Sequence, residues 1–337
     1  MMIEVKDLTK IYKTYRKGSG FRENIKSFLH RETVMIHAVD HVTFDIQEGE
    51  ICGILGPNGA GKSTTIKMLC GTLYATSGTV KVMGYTPTKE RQSYVKQIGA
   101  VFGQKSQLIW DIPPIDSFRM NKAIYGVTEA DYKARLTELA ESFGVTEVMY
   151  KPTRVLSLGE RMKCEFIMAM LHNPRVVFLD EPTIGLDVFA KKTIREFVAR
   201  KNQEGITFIL TTHDLEDVEQ LAKRTIIINH GQKVFDDSIG KLRLALGAKK
   251  RIDFLLQEPV ERMDAVRNIP GVFVIEDSDK REEEWQEGYH LTLEVDMEKN
   301  GIHQLLEMIS DYINFKDITI KELPMEQIIT HIYSSKE

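Results

Sequence analysis

Gly56-Pro57-Asn58-Gly59-Ala60-Gly61-Lys62-Ser63-Thr64 fits G-x-x-x-x-G-K-[ST], the pattern of a phosphate-binding P-loop. Its flanks fit as well. Ile51-Cys52-Gly53-Ile54-Leu55 is a short apolar run of the kind a buried parallel strand has. Thr64 to Leu69 reads as the first turns of a helix, with Gly71 as its stop. Glycines at 56, 59 and 61 let the backbone turn tightly and bring its N–H groups onto phosphates. The helix N-terminus adds positive potential there. Lys62 can reach the β- and γ-phosphates, and the Ser63 hydroxyl can ligate Mg²⁺.

Working outward, other strand ends carry chemistry of the same kind. Val176-Val177-Phe178-Leu179-Asp180-Glu181 is an apolar strand closing on two acids. In P-loop NTPases the acid at the end of such a strand holds Mg²⁺, which assigns Asp180 to the metal. Glu181 then stands where a carboxylate can orient and deprotonate an attacking water. Two carboxylates at a buried strand end are costly without a cation or hydrogen bonds, so a purely structural reading is unattractive. Ile98 to Phe102 is a further short strand followed by Gln104, near the phosphate crevice of such a sheet. Thr207 to Leu210 is another buried strand, followed by Thr211-Thr212-His213. Leu156-Ser157-Leu158-Gly159-Glu160-Arg161 opens a helix through the capping box Ser157/Glu160, whose N-terminus is also an anion site.

The rest of the first 238 residues supports the same sheet. Ile3 to Leu8 and Val39 to Ile46 alternate as half-exposed strands do. Tyr12, soon after the first, offers a face on which a nucleobase can stack. Between them, residues 16–36 read as a loop and a short basic amphipathic helix, with Phe21, Ile25, Phe28 and Leu29 at helical spacing. Such a helix suits a membrane surface, a partner or its own domain. Residues 105–172 read as a helical subdomain beside the sheet, and Thr225 to Phe235 as a closing hairpin.

Composition bounds the function. The 337 residues suffice for two domains, and the net charge of −4 argues against a general polyanion binder. Three cysteines without metal-type spacing fit a reducing compartment and no disulfide framework. No apolar stretch approaches a membrane span, and Met1 to Lys10 lacks a signal-peptide pattern, so any membrane role is expected to come through a partner.

Together these motifs resemble the ATP-binding subunit of an ABC transporter, over about residues 1–238 and in the family's order. They are the Walker A loop Gly56–Thr64, the Q-loop Gln104, the signature Leu156–Glu160, Walker B Val176–Glu181, the D-loop Gly185-Leu186-Asp187 and the switch His213. The signature departs from Leu-Ser-Gly-Gly-Gln at Leu158 and Glu160 but keeps Ser157 and Gly159. The resemblance implies two ATPase domains, two copies of the chain or a copy and a homologue, paired head to tail. Each ATP then lies between the Walker A loop of one domain and Ser157, Gly159 and Asp187 of the other. Tyr12 falls at the adenine-stacking position; Lys62, Gln104, Glu181 and His213 fall at the catalytic ones. Gln104 joins Ser63 and Asp180 at the metal. The family also implies a separate integral membrane permease and a peripheral place on the cytoplasmic face of the membrane. Val101–Leu108, Leu156–Met162 and Pro182–Asp187 are similar to bacterial exporters of the daunorubicin or viologen type. The basic insert is similar to one in polysaccharide and teichoic-acid exporters.

After a linker at 239–250, residues 251–337 read as βαββαβα, the order of a small ferredoxin-like α+β domain. Lys280 to Glu287 reads as a charged hairpin loop in it. A soluble ABC ATPase of translation or DNA repair is the rival function. The single P-loop, the lack of a heptad run and the acidic balance all argue against it, and against a nucleic-acid partner.

Overall fold

A computed structural model describes residues 1–15, 33–213, 215–246, 249–260, 262–278, 289–297, 299, 301–321 and 323. The chain divides into two compact units, Met1–Ile239 and Gly240–Glu337.

The first unit opens with β1 (Ile3–Tyr15), β2 (Thr33–Ile46), β3 (Ile51–Leu55), α1 (Lys62–Leu69), β4 (Ser77–Val82), α2 (Arg91–Tyr94) and β5 (Ile98–Phe102). Helices α3 (Pro114–Tyr125), α4 (Glu129–Phe143) and α5 (Leu158–Met170) follow. Then come β6 (Val176–Asp180), α6 (Val188–Gln203), β7 (Thr207–Thr212), α7 (Leu215–Leu221), β8 (Arg224–Asn229) and β9 (Gln232–Ser238). Six strands form one sheet in the order β5-β6-β7-β3-β8-β9, parallel except for β9. Its middle is buried: all of Thr207–Thr212 and Val176 to Leu179 lie out of solvent. That is why these segments read as unbroken apolar runs rather than alternating ones. The register sets Phe102 beside Asp180, Asp180 beside Thr211, and Leu55 beside Thr212. The carboxyl ends of four strands therefore finish together.

A smaller antiparallel sheet, β2-β1-β4, packs through Ile3, Val5, Leu8, Val42 and Phe44 into the same core. Both long strands outrun their alternating stretches, because register shifts between Val5 and Ile11 break the period of two. One expectation is corrected here. Thr33–Ile36, read as the end of the basic insert, are strand, paired with Tyr12–Tyr15. Thr33, Val34 and Ile36 are β-branched and extend the ladder. Residues 16–32, with the amphipathic helix expected there, lie outside the described residues.

The helices start where their sequences cap them. Pro114 opens α3, the Thr128 hydroxyl accepts the Asp131 N–H at 3.2 Å to cap α4, and Ser157 and Glu160 make the full capping box of α5. Phe143, Phe166 and Phe197 hold α4, α5 and α6 together, with ring centroids 4.4–6.1 Å apart.

In the second unit α8 (Ile239–Leu246) leads into β10 (Lys249–Leu256), α9 (Met263–Arg267), β11 (Val272–Ser278), β12 (Tyr289–Asp296), α10 (Ile302–Ser310) and β13 (Phe315–Lys321). The sheet order β11-β12-β10-β13, with every pair antiparallel, is ferredoxin-like. Ile252, Phe254 and Leu256 alternate inward and meet Leu291, Leu293 and Val295, while Leu305 and Ile309 close the core one helical turn apart. The charged loop 280–287 and the helix expected at 325–333 lie outside the described residues.

Phe166 is fully buried at the centre of the three-ring cluster. Phe166→Ala should cost about 3–5 kcal/mol, measured as a lower midpoint of urea unfolding. An unchanged midpoint would mean that the cluster does not hold the helices.

Candidate active site

The P-loop follows β3 and turns straight into α1. Gly61 makes the turn at φ +109, where a Cβ would lie 2.3 Å from the Ala38 carbonyl. No other residue fits that corner. Lys62, the next residue, is only 4% exposed. Its Nζ donates to the carbonyls of Gly56 (2.7 Å) and Pro57 (3.1 Å) and lies 3.7 Å from Glu181 Oε1. Burial pulls the Lys62 ammonium below its ordinary pKa, and the Glu181 and Asp180 carboxylates pull it back up. Ser63 Oγ donates to Asp180 Oδ1 at 2.8 Å, and Thr211 Oγ1 donates to the same oxygen at 2.6 Å.

Glu181 is buried at 7% exposure and holds a left-handed backbone, φ +52. Its N–H donates to Thr211 O (3.0 Å) and Thr211 Oγ1 (3.2 Å), which fixes that turn onto β7. Gly103 approaches so closely that a Cβ there would lie 2.1 Å from the Glu181 carbonyl. Its N–H donates to Asp180 O at 2.8 Å and brings the exposed Gln104 to the end of β6. His213, at the end of β7, sets Nδ1 3.6 Å from Glu181 Oε1. Lys62, Ser63, Asp180, Glu181 and His213, predicted from separate motifs, thus form one connected group.

Other predicted residues stand elsewhere. The exposed Asn58 and Gly59 form the tip of the loop, between Pro57 and the buried Ala60, and Thr64 lies in the first turn of α1. Ser157 caps α5. Gly159, in the first turn of that helix, faces α6: a Cβ there would touch Ala190 Cβ at 3.2 Å and Asp187 Oδ2 at 3.9 Å. Asp187 caps α6 through the Ala190 N–H at 2.8 Å. Among the described residues, no hydrogen bond or ion pair joins Ser157, Gly159 or Asp187 to the P-loop. Tyr12 lies on β1, half exposed, with Lys10 Nζ 5.2 Å from its ring centre.

The polar group suits a phosphate ligand and a hard cation. The N-terminus of α1 and the Lys62 ammonium stand at the loop, and Ser63, Asp180 and Thr211 offer only oxygen donors, the set that Mg²⁺ prefers. Two features escaped sequence reading. Thr211 has no motif, and only the pairing of β6 with β7 puts it against Asp180. Asp217 on α7 is 2% exposed and accepts from Thr183 Oγ1 (2.5 Å) and from Arg195 Nε (3.1 Å) and Nη2. It ties the helix after His213 to the segment after Glu181, through partners far away in sequence. Thr211→Val keeps the shape and removes the hydroxyl shared by both acids. Turnover should fall about tenfold with nucleotide affinity within about threefold, read from steady-state hydrolysis and equilibrium binding.

The family described as ABC transporter matches residues 39–184, and one described as AAA domain, putative AbiEii toxin, Type IV TA system, matches residues 152–217. The chain is 30% identical over 208 residues to the ABC transporter ATP-binding protein NatA of Bacillus subtilis (strain 168), covering 62% of this chain and 85% of that one. It is 29% identical over 294 residues to the daunorubicin/doxorubicin resistance ATP-binding protein DrrA of Streptomyces peucetius, covering 86% of each. The solved structure of an ATP-binding subunit of an ABC transporter superposes with a TM-score of 0.61 at 25% identity, covering 73% of this chain and 93% of the other.

Proposed function

The chain belongs to the ABC transporter ATP-binding family and is an ATPase, and from that premise we propose that it powers an exporter of drugs or other amphipathic small molecules through separate membrane permease subunits. The observation that carries the reading is the meeting of Lys62, Ser63, Asp180, Glu181 and His213 at adjoining strand ends, while Ser157 caps α5 and Gly159 faces α6 instead. One half-site gathers in the fold, and the other half belongs to a second protomer. DrrA, a resistance protein by name, aligns well beyond the ATPase unit, which favours a drug-type client.

In this reading the P-loop amides and Lys62 hold the β- and γ-phosphates. Phosphate binding draws the Lys62 ammonium away from the carbonyls of Gly56 and Pro57. Ser63 and Asp180, with Gln104, would hold Mg²⁺, which would supply neutralisation of the phosphate charge. Glu181 takes the proton of the attacking water, and His213 beside it keeps that carboxylate aimed. Tyr12 stacks on the adenine. Ser157, Gly159 and Asp187 of the opposing protomer close over the γ-phosphate, and two-fold symmetry builds both sites at once. Loss of the γ-phosphate removes the bridge and lets the protomers part.

Among the described residues no helix is long and apolar enough to cross a membrane. The permease is proposed to dock in a cavity of about 200 Å³ lined by Arg91, Phe102, Gln107, Asn121, Tyr125 and His172, between α2, β5 and the helices α3 and α5. Met120, Ile124 and Trp110, all about half exposed or more, are apolar contacts of the kind such docking uses. The protein would then sit on the cytoplasmic face of the membrane.

Glu181→Gln should retain ATP binding, lower turnover about a hundredfold or more, and accumulate an ATP-bound dimer in size-exclusion chromatography. Normal turnover by this variant would remove the role given to Glu181. Purification from native membranes under mild detergent should bring along a polytopic permease; ribosomes or DNA in its place would move the same ATPase to a soluble process.

A further inference from the structure

Glu165 is a carboxylate that the chemistry above does not use. It lies in α5 between Cys164 and Phe166 and is 2% exposed. Three donors converge on its Oε1: the Ser106 hydroxyl (2.5 Å), the Gln107 N–H (2.8 Å) and the Leu108 N–H (3.3 Å). Oε2 is buried without a hydrogen-bond partner. Burial pushes the Glu165 pKa up, against the pull of the Ser106 hydroxyl and the Leu108 and Gln107 N–H groups. A buried acid is a costly way to fill a helix face unless its hydrogen bonds are needed.

The donors all come from the segment just after Gln104. Before Gln104 the chain is bonded to the sheet, through the Gly103 N–H on Asp180 O. After it, beyond a turn in which the Lys105 N–H donates to Phe102 O at 3.1 Å, the chain is bonded mainly to the helical subdomain. Glu165 takes Ser106–Leu108, and the Ile109 N–H donates to Ser117 Oγ at 3.3 Å. The Trp110 and Ile112 carbonyls accept the N–H groups of Arg154 (3.0 Å) and Thr153 (3.1 Å). The Arg161 guanidinium, one turn before Glu165, lies 5.9 Å from the Trp110 ring centre. One side-chain bond runs the other way, from Gln107 Nε2 to Ala100 O on β5 at 2.6 Å. Gln104 therefore stands where attachment changes from sheet to helix.

We infer that Glu165 is a positioning residue for ATP hydrolysis: it locks Ser106–Leu108 to α5, the helix whose N-terminus carries Ser157 and Gly159. Gln104 and Ser157–Gly159 then shift as one piece when the γ-phosphate arrives or leaves. The inference rests on the roles proposed above for those residues. It places Glu165 outside nucleotide binding, because none of its partners belongs to the P-loop.

The test uses the full chain with Glu165→Ala and Glu165→Gln, steady-state MgATP hydrolysis, and amide hydrogen exchange. The alanine variant should lose about tenfold in kcat with KM within about twofold. Its amides at 107 and 108 should exchange about tenfold faster, while those of the P-loop stay as in the parent. The glutamine variant keeps an acceptor at Oε1 and should recover most of both losses. If the alanine variant fails to fold, Ser106→Ala removes one donor alone and should lower kcat in the same direction, by less. Parent-like kcat and parent-like exchange at 107 and 108 in Glu165→Ala would overturn the inference. So would alanine and glutamine variants equally impaired, with P-loop amides loosened too, since that is a general loss of stability. A parent chain that never pairs with ATP would count against the dimer reading instead, because the exchange result reads the clamp alone.

Discussion

The Lys62 ammonium faces the Glu181 carboxylate across 3.7 Å, and both groups are almost wholly buried. Either one alone in that place would cost several kcal/mol in lost hydration. The fold answers by delivering partners to a single spot. Two P-loop carbonyls take the ammonium, while Ser63 and Thr211 donate to Asp180. Such convergence needs strands that end level with one another, which is what the parallel register of β5, β6, β7 and β3 provides. The apolar middle of the sheet is the other half of the same arrangement. It keeps water out from below, so that polar groups at the rim must satisfy each other or a ligand.

The helices answer to the same group through the chain that follows it. From Asp180 the backbone runs through Glu181 to Gly185 and Asp187, and a Cβ at Gly185 would touch the Leu158 side chain at 3.1 Å. The N-terminus of α5 thus rests on the segment that leaves β6. Thr183, two residues past Glu181, is held by Asp217, and Asp217 by Arg195. A change at the strand end therefore has packed routes to α5, α6 and α7, the last two through the buried Thr183 and Asp217.

Local patterns were legible in the sequence, and pairings across the fold were not. The P-loop, the acids closing β6 and the capping box of α5 are each contained in a few consecutive residues, and their residue types carry the chemistry. The ferredoxin-like order of the second unit came from alternation alone, since its strands are half buried and keep a period of two. The first two strands were read too short, because their register shifts break that period. Thr211 looks like one more residue of a buried strand until β6 is known to lie beside it. Glu165 reads as a charge on a helix, and nothing nearby in sequence announces three donors from residues 106–108.

Glu181 stands in a backbone conformation that side-chain-bearing residues rarely adopt, φ +52. Its hydrogen bonds to Thr211 hold it there at a conformational cost of about 1–3 kcal/mol. Glycine would relieve that cost, and asparagine would bear it more easily, but either would leave the buried Lys62 ammonium without the carboxylate 3.7 Å away. Backbone strain and ion pairing therefore oppose each other at this one position. The strained turn is the means by which the chain brings a carboxylate to a buried cation, so a substitution that eased the turn would loosen the pocket that the turn serves.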